Sequence, residues 1–598
     1  LGLKYREDGS IDYANSTFEG FGARNDYFTM MDYYNPYYLS EIQPSSRDNT
    51  RITENAFVNI NPLDGLNWRT NVGLEWFDYR LTSKVMPVGP FEGSGGANEV
   101  FERYYNWTVS NTLEYKFDIA KRHYFTALLG HEYMYNKDRA FSLETEGQTD
   151  SRLMLPSAGT TVNMPSSDSL TEEKRLSWFG MLNYSLDDKY FVDLSIRRDG
   201  SSLFGKDKQW ATFGAAAVMW NISRENFMAP TNSWLNDLAV KVSYGTTGNS
   251  GISPYMALGL VGSGLLYNGQ GGTAIANPSN PDLSWETVKT FNVALVGRVC
   301  DLLSFDLEYY NKVTSDMLME IPYSVTTGFS GGWGNVAEMR NRGFDFTLNF
   351  DLIKTKDWTW TLGVNGNYNS NKITKLFQGL DEYVMGETGL KMQVDHPYGE
   401  YYEVRWSHVD PRDGQNVWLD KNGNETKNYS EDDKVMTGMN QYAPWSGGAM
   451  TTLAWKGLQL DLQFTGMFDR YMINNERWFT ENATFASSKN QSTAMLDMWT
   501  TPGQITDIPA ADATMEFDTH LIEEASFVRL KMLQLSYTFP ASLMQKTGFI
   551  KGAKVYFIGR NLLTFTGYKG YDPEVNSNIT LGNYPNTRQY SIGAQLTF

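Results

Sequence analysis

Tyr190-Phe191-Val192-Asp193-Leu194-Ser195-Ile196-Arg197 decides the fold class. Tyr190, Val192, Leu194 and Ile196 share one face of an extended chain, and Asp193, Ser195 and Arg197 share the other. A period of two, apolar against polar, marks a strand with one dry and one wet face. The same texture recurs at 52–62, 67–82, 101–117, 123–137, 174–186, 209–221, 237–247, 285–298, 302–314, 342–353, 357–369, 447–456, 458–470, 526–538, 553–565 and 587–598. With 190–200 these stretches predict about 17 strands.

The connections between them alternate in length. Leu63-Asp64-Gly65, Asp187-Asp188-Lys189, Lys354-Thr355-Lys356 and Trp455-Lys456-Gly457 are tight, whereas 250–280, 320–340, 375–445 and 470–525 are long and rich in Gly, Asn and Tyr. Short turns on one rim and long loops on the other characterise a transmembrane antiparallel β-barrel of the outer membrane, whose periplasmic turns are short and extracellular loops long. Counting back from a last strand that runs inward puts every short turn on the periplasmic side. The longer connections 221–236 and 540–552 are the exceptions there.

Composition agrees. Across 598 residues, 41% are hydrophobic and 14% aromatic, yet no run of about 18 apolar residues could cross a bilayer as a helix. The net charge of −18 speaks against a nucleic-acid partner, and the single Cys300 leaves no disulfide framework and no cysteine metal cluster. The chain opens Leu1-Gly2-Leu3 with neither Met nor signal peptide, which suggests processing or truncation. In the last strand Tyr590, Ile592, Ala594, Leu596 and the terminal Phe598 share a face, an arrangement that reads as a barrel-insertion signal.

Several motif segments stand out along the strands and loops. They are Arg197-Arg198-Asp199-Gly200-Ser201-Ser202 with Phe204-Gly205, Ser243-Tyr244-Gly245-Thr246-Thr247-Gly248-Asn249, and Asn280-Pro281-Asp282-Leu283-Ser284-Trp285-Glu286. Tyr309-Tyr310-Asn311-Lys312 and Asn335-Val336 with Met339-Arg340-Asn341-Arg342-Gly343 follow. Near the end come Ser526-Phe527-Val528-Arg529-Leu530-Lys531, Leu535-Ser536-Tyr537-Thr538-Phe539-Pro540, Asn561-Leu562-Leu563-Thr564-Phe565-Thr566, Gly570-Tyr571-Asp572-Pro573-Glu574 and Tyr584-Pro585. In this order they resemble the SusC/RagA-like family of TonB-dependent outer-membrane transporters. The resemblance implies a 22-strand barrel importing oligosaccharides or oligopeptides, closed by a plug that TonB pulls and covered by a SusD-like surface lipoprotein. A siderophore or cobalamin receptor is the alternative within transport, and a surface β-sandwich adhesin or binding module the distant one. No plug or TonB-binding segment is found, and the match starts inside the barrel. Residues 1–50 read as the end of a strand plus an extracellular loop, and 51–598 as the strands and loops of the C-terminal barrel portion. Roughly four strands and the plug would then come from a separate chain or an N-terminal part.

No enzymatic constellation stands out. Gly328-Phe329-Ser330-Gly331-Gly332 matches G-x-S-x-G but lies in a Gly-rich loop leading to a strand, where a nucleophile elbow needs a helix. His123, His131, His396, His408 and His520 show no zinc spacing. The reading needs no cofactor, with one loop left open for a structural calcium: Asp420, Asn422, Asn424 and Glu431 hold oxygens at EF-hand positions, although Glu425 stands where the turn wants Gly. Aromatics in the expected extracellular loops, Tyr33, Tyr34, Tyr37, Tyr38, Tyr401, Tyr402, Trp406 and Trp478, are candidates for substrate or lid contact, with packing inside a loop as the plain alternative.

Overall fold

A computed structural model of the chain describes residues 40–88, 95–163, 167–386, 389–486 and 489–598. Tyr33, Tyr34, Tyr37 and Tyr38 lie outside the described residues. One large antiparallel sheet organises the rest. It contains the two-residue Thr161–Val162 and seventeen long strands: β1 (Ser45–Leu63), β2 (Leu66–Val85), β3 (Gly95–Ile119), β4 (His123–Gln148), β5 (Asp168–Leu186), β6 (Tyr190–Ser201), β7 (Trp210–Asn221), β8 (Leu235–Asn249), β9 (Glu286–Val299), β10 (Leu303–Pro322), β11 (Gly331–Lys354), β12 (Trp358–Lys375), β13 (Trp445–Trp455), β14 (Leu458–Phe468), β15 (Phe527–Thr538), β16 (Gly552–Thr566) and β17 (Gln589–Thr597). Each long strand pairs with the next along the chain, and among the described residues β1 and β17 each have one long neighbour.

The register shows why the alternation was so regular. Phe117, Phe125, Tyr184, Val192, Val218, Val242, Val293, Tyr309, Phe344, Tyr368, Trp445 and Phe468 are successive cross-strand partners, one unbroken apolar row over twelve strands. One residue along, on the opposite face, Lys116, Thr126, Asn183, Asp193, Ala217, Ser243, Asn292, Tyr310, Gly343 and Asn369 form a row of polar and small side chains. Apolar side chains on the first face stay uncovered: Leu129 is 67% and Ile196 61% exposed. Water would not leave such a face bare, whereas hydrocarbon is a good solvent for it.

Four of the short connections are built on paired left-handed residues. Ala120 and Lys121, Asp187 and Asp188, Cys300 and Asp301, and Lys456 and Gly457 all have positive φ, the paired conformation of a type I′ turn whose twist matches that of the strands it joins. Gly65 (φ 76) is required sterically as well, because a Cβ there would sit 2.1 Å from the Lys116 carbonyl oxygen.

At the other rim the strands outrun the sequence reading. β4 has 26 residues, about 85 Å of strand at roughly 3.3 Å per residue, where a membrane crossing needs about 10 residues. β1 starts at Ser45, inside the stretch read as loop to residue 50, and the connection expected at 320–340 shrinks to eight residues because β10 and β11 continue to Pro322 and Gly331. The loop at 250–280 contains a hairpin, Leu260–Tyr267 with Gln270–Asn277. Beyond the apolar band the alternation fades while the hydrogen-bond ladder continues.

Segments 376–444, 469–526 and 567–588 pack together as a cap with a conventional core. Leu390, Tyr401, Ile473 and Leu521 lie in one buried cluster. Short strands knit its parts, and Ile473 and Asn474 run parallel to Ile579 and Thr580.

Candidate functional site

Where the cap meets the polar face of the sheet there is a cavity of about 1070 Å³. Its wall side is an amide ladder. Asn367, Asn369 and Asn371 recur at every second residue of β12 and so share a face, opposite Asp345, Gly343 and Asn341 of β11. Tyr310 Oη donates to Asn369 Oδ1 at 3.0 Å, and Asn369 and Asn371 both donate to Asn341 Oδ1, at 3.0 and 2.8 Å. Asn367 Nδ2 donates to Asp345 at 2.5 Å.

The cap side is pinned by Arg470, whose guanidinium donates to the carbonyls of Gln441 (3.0 Å), Pro573 (2.7 Å), Val575 and Ser577 (3.3 Å). Burial lowers its pKa from the ordinary arginine value. One side chain thus fixes loop 573–577 against 441, and Tyr398 and Tyr442 complete the lining with rings 5.9 Å apart. Amides and phenols both donate and accept hydrogen bonds, and the rings offer flat apolar faces. Such a surface can hold a neutral, polar, extended solute. Tyr310, Asn341, Gly343 and Pro573 lie in the motif segments, but none of the lining residues was read from sequence as a contact for solute, although Asn365, Asn367, Asn369 and Asn371 at a period of two were a visible signal.

Of the aromatics that sequence did single out, the four within the described residues, Tyr401, Tyr402, Trp406 and Trp478, pack within the cap. Tyr401 is fully buried, its hydroxyl donating to the carbonyl oxygens of Asn578 (2.7 Å) and Tyr471 (3.2 Å). Burial holds that phenol well above its usual pKa. Tyr402 receives Lys391 Nζ 4.2 Å from its ring centre, Trp406 stacks on His520 at 4.1 Å, and Trp478 packs on Phe517 at 5.8 Å. The terminal Phe598 stacks on Phe549, and Tyr590 stays exposed on the outer face.

The proposed calcium loop is a hairpin turn. Asp420 Oδ1 accepts from the Asn422 and Asn424 backbone N–H (2.8 Å each) and Oδ2 from Asn424 Nδ2 (2.9 Å), while Gly423, not residue 425, takes the left-handed conformation (φ 88). Glu431 pairs with Lys434 at 2.6 Å. These oxygens already have partners belonging to the turn. Among the described residues no group of three His, Cys, Asp or Glu could hold a metal. Ser330 sits at a hairpin tip whose next residue enters β11.

Beneath Trp406 lies a buried polar cluster. Asp518 accepts from Trp418 Nε1 (2.6 Å) and from the His520 backbone N–H (2.8 Å), and Arg477 contacts the His520 ring at 3.0 Å. Burial raises the Asp518 carboxyl to about 7 against those two donors, and burial with the Arg477 charge lowers His520 to about 3.

The motif segments close on one another in space. Asn335 bonds both the N–H and the C=O of Ser284 at 2.8 Å, Asn280 donates to the Trp333 carbonyl at 2.8 Å, and Leu203, Phe204 and Leu283 form one buried cluster. In the second clamp Arg529 bridges Asp572 (2.5 Å) and Glu574 (2.7 Å), and Lys531 reaches Glu574. Burial would raise the Asp572 pKa, but Arg529 and the Asn586 and Glu574 N–H donors outweigh it and hold the carboxyl below its usual range. These residues tie the last long loop to β15.

Residues 2–562 match the model of a family described as TonB dependent receptor-like, beta-barrel. The chain is 28% identical to TonB-dependent receptor P3 of Formosa agariphila, over 95% of this chain and 60% of that protein, and 27% identical to TonB-dependent receptor SusC of Bacteroides thetaiotaomicron, over 90% and 54%. A solved structure of the RagAB peptide transporter superposes with a TM-score of 0.90 at 34% identity, covering all of this chain and 68% of that one. The chain spans little more than half the length of the curated relatives it matches.

Proposed function

Given that the chain belongs to the TonB-dependent receptor β-barrel family and is of SusC/RagA type, we propose that it supplies most of the wall of an outer-membrane importer for oligosaccharides or oligopeptides. The observation that carries the proposal is the apolar row across twelve strands backed by a polar row on the opposite face. The long loops then face outward, and the amide-lined cavity beneath the cap is where solute is held. Its volume slightly exceeds the roughly 300–1,000 Å³ usual for ligand pockets, which favours an oligomeric solute.

Import on this reading needs no covalent chemistry. Capture follows from different affinities of open and closed states, and release from work delivered by TonB through a plug. Leu496, Ile505 and Tyr584 are 87%, 91% and 86% exposed on the cap, and this supports a docking surface for a SusD-like lipoprotein lid. Among the described residues the outer edges of β1 and β17 have no strand partner, and this supports closure of the wall by strands from a separate chain or an N-terminal part. About 10 unpaired polar groups per edge, at several kcal/mol each, could not stay open in lipid.

The test is fractionation and uptake. The protein should reside in the outer membrane and migrate on gels as a heat-modifiable barrel. Asn369→Ala combined with Asn371→Ala should lower uptake of the imported oligomer while leaving that migration intact. A soluble, heat-insensitive protein would contradict the importer reading and favour a sandwich adhesin.

A further inference from the structure

A second concavity lies on the opposite side of the wall, facing away from the polar row. Leu113, Leu129, Gly180, Ile196 and Gly214 are cross-strand partners in one outward row. The next row toward the long loops holds Asn111, His131, Trp178, Arg198 and Thr212. Because Gly180 carries no side chain, the first row opens into a groove of about 620 Å³ walled mainly by Leu129, Ile196, Trp68 and Trp178. A Cβ at Gly180 would already touch Leu129 Cδ2 at 3.4 Å, so any side chain there would fill the slot.

Arg198 stands at the upper end of this groove. Its guanidinium lies 5.6 Å from the Trp210 ring centre, and it forms no ion pair among the described residues. The partners of its row carry no carboxylate, and neither do the rows on either side, Val109, Tyr133, Leu176, Gly200 and Trp210 above and the groove row below. In a chain of net charge −18 this is a local arrangement, not a shortage of acids. An arginine in the lipid-facing band, one row beneath the belt of Tyr133 and Trp210, is expensive without a counter-ion. At that depth the available anions are lipid headgroups.

We propose that the groove is a lipid-binding site. One acyl chain lies over Gly180 between Leu129 and Ile196, and the phosphate of an anionic lipid rests on Arg198 beside the His131–Trp178 ring pair, whose centroids are 4.4 Å apart. The proposal depends on this face meeting the bilayer, as the importer reading requires.

The test uses the protein extracted in mild detergent together with whatever strands close its wall. Native mass spectrometry compares phosphatidylglycerol with phosphatidylcholine of the same chains, and inorganic phosphate is the competitor. Phosphatidylglycerol should be retained about fivefold more tightly, the gain expected for one basic residue at an anionic lipid surface. Arg198→Leu should bring the two lipids level, Arg198→Lys should keep the preference, and Gly180→Leu should weaken both, all with heat-modifiable migration unchanged. Inorganic phosphate at millimolar concentration should displace neither. A preference for phosphatidylglycerol that survives Arg198→Leu, or displacement by phosphate alone, overturns the site. A detergent-requiring barrel that binds both lipids alike overturns the site but leaves the barrel standing. A protein soluble without detergent that binds neither overturns both.

Discussion

In the wall, Leu129 and Ile196 are turned outward and mostly uncovered, while in the cap Leu390, Tyr401, Ile473 and Leu521 are almost wholly buried. One polypeptide thus obeys the hydrophobic effect with opposite sign in two regions, because it meets two solvents. The wall is held by its hydrogen-bond ladder, since leaving backbone groups unpaired in hydrocarbon costs more than any side-chain contact returns. The cap behaves like a water-soluble domain, with an apolar centre and ion pairs buried at its seams. Substitutions should therefore act by different rules on either side of the boundary.

The largest effect is expected at the seam. Arg529→Ala leaves Asp572 buried without its counter-charge, and the free energy of opening segment 567–588, read by hydrogen exchange, should fall by about 3–5 kcal/mol. Replacing Arg529 with Met and Asp572 with Leu together should restore much of it, and an unchanged exchange rate in Arg529→Ala would show that the clamp does not hold the loop. In the wall, Leu194→Lys should destabilise the barrel by about 2–4 kcal/mol while Ser195→Lys, one residue away, costs under about 1. Reversible unfolding in lipid vesicles measures both, and equal costs would erase the distinction between faces.

A third, smaller effect concerns the buried Asp518 and His520. Asp518, raised from 3.8 to about 7, favours the folded cap fully below pH 3.8 and loses that contribution as pH climbs toward 7. His520, lowered from 6.5 to about 3, favours it fully above pH 6.5 and loses that contribution as pH falls toward 3. Between pH 4 and 6.5 the slopes, each about 1.4 kcal/mol per pH unit, oppose one another, so the contributions of these two groups should cancel. His520→Gln should leave stability falling from pH 4 to 7, and Asp518→Asn should leave it falling below pH 6.5. Level profiles in both variants would remove these two groups from the account. Smallest of all, millimolar calcium should not shift cap unfolding, because the Asp420 oxygens are already engaged; a clear upward shift would restore the calcium loop.

How much could be read from sequence follows the same boundary. Tyr190–Arg197 was legible because its faces meet different solvents, and every stretch of comparable alternation falls on a long strand. The upper half of β4, beyond residue 137, was not, since Glu144, Thr145 and Glu146 are polar on both faces, even though Thr145 is only 3% exposed while its two neighbours are open. The cap was illegible because its contacts are distant in sequence: Tyr401 bonds Asn578, and Trp418 bonds Asp518. The motif segments could be recognised, but not that Arg529 and Asp572 meet in a clamp. The amide ladder was open to reading and was missed, since Asn at a period of two looks like any wet strand face.

Lipid contact on one face of the strand at 190–197 is the central claim, and single cysteines there test it most directly. With Cys300→Ser as background, a fluorophore at 192, 194 or 196 should be quenched by spin-labelled acyl chains, and one at 193, 195 or 197 by a water-soluble quencher. All six positions responding alike to the water-soluble quencher would contradict it.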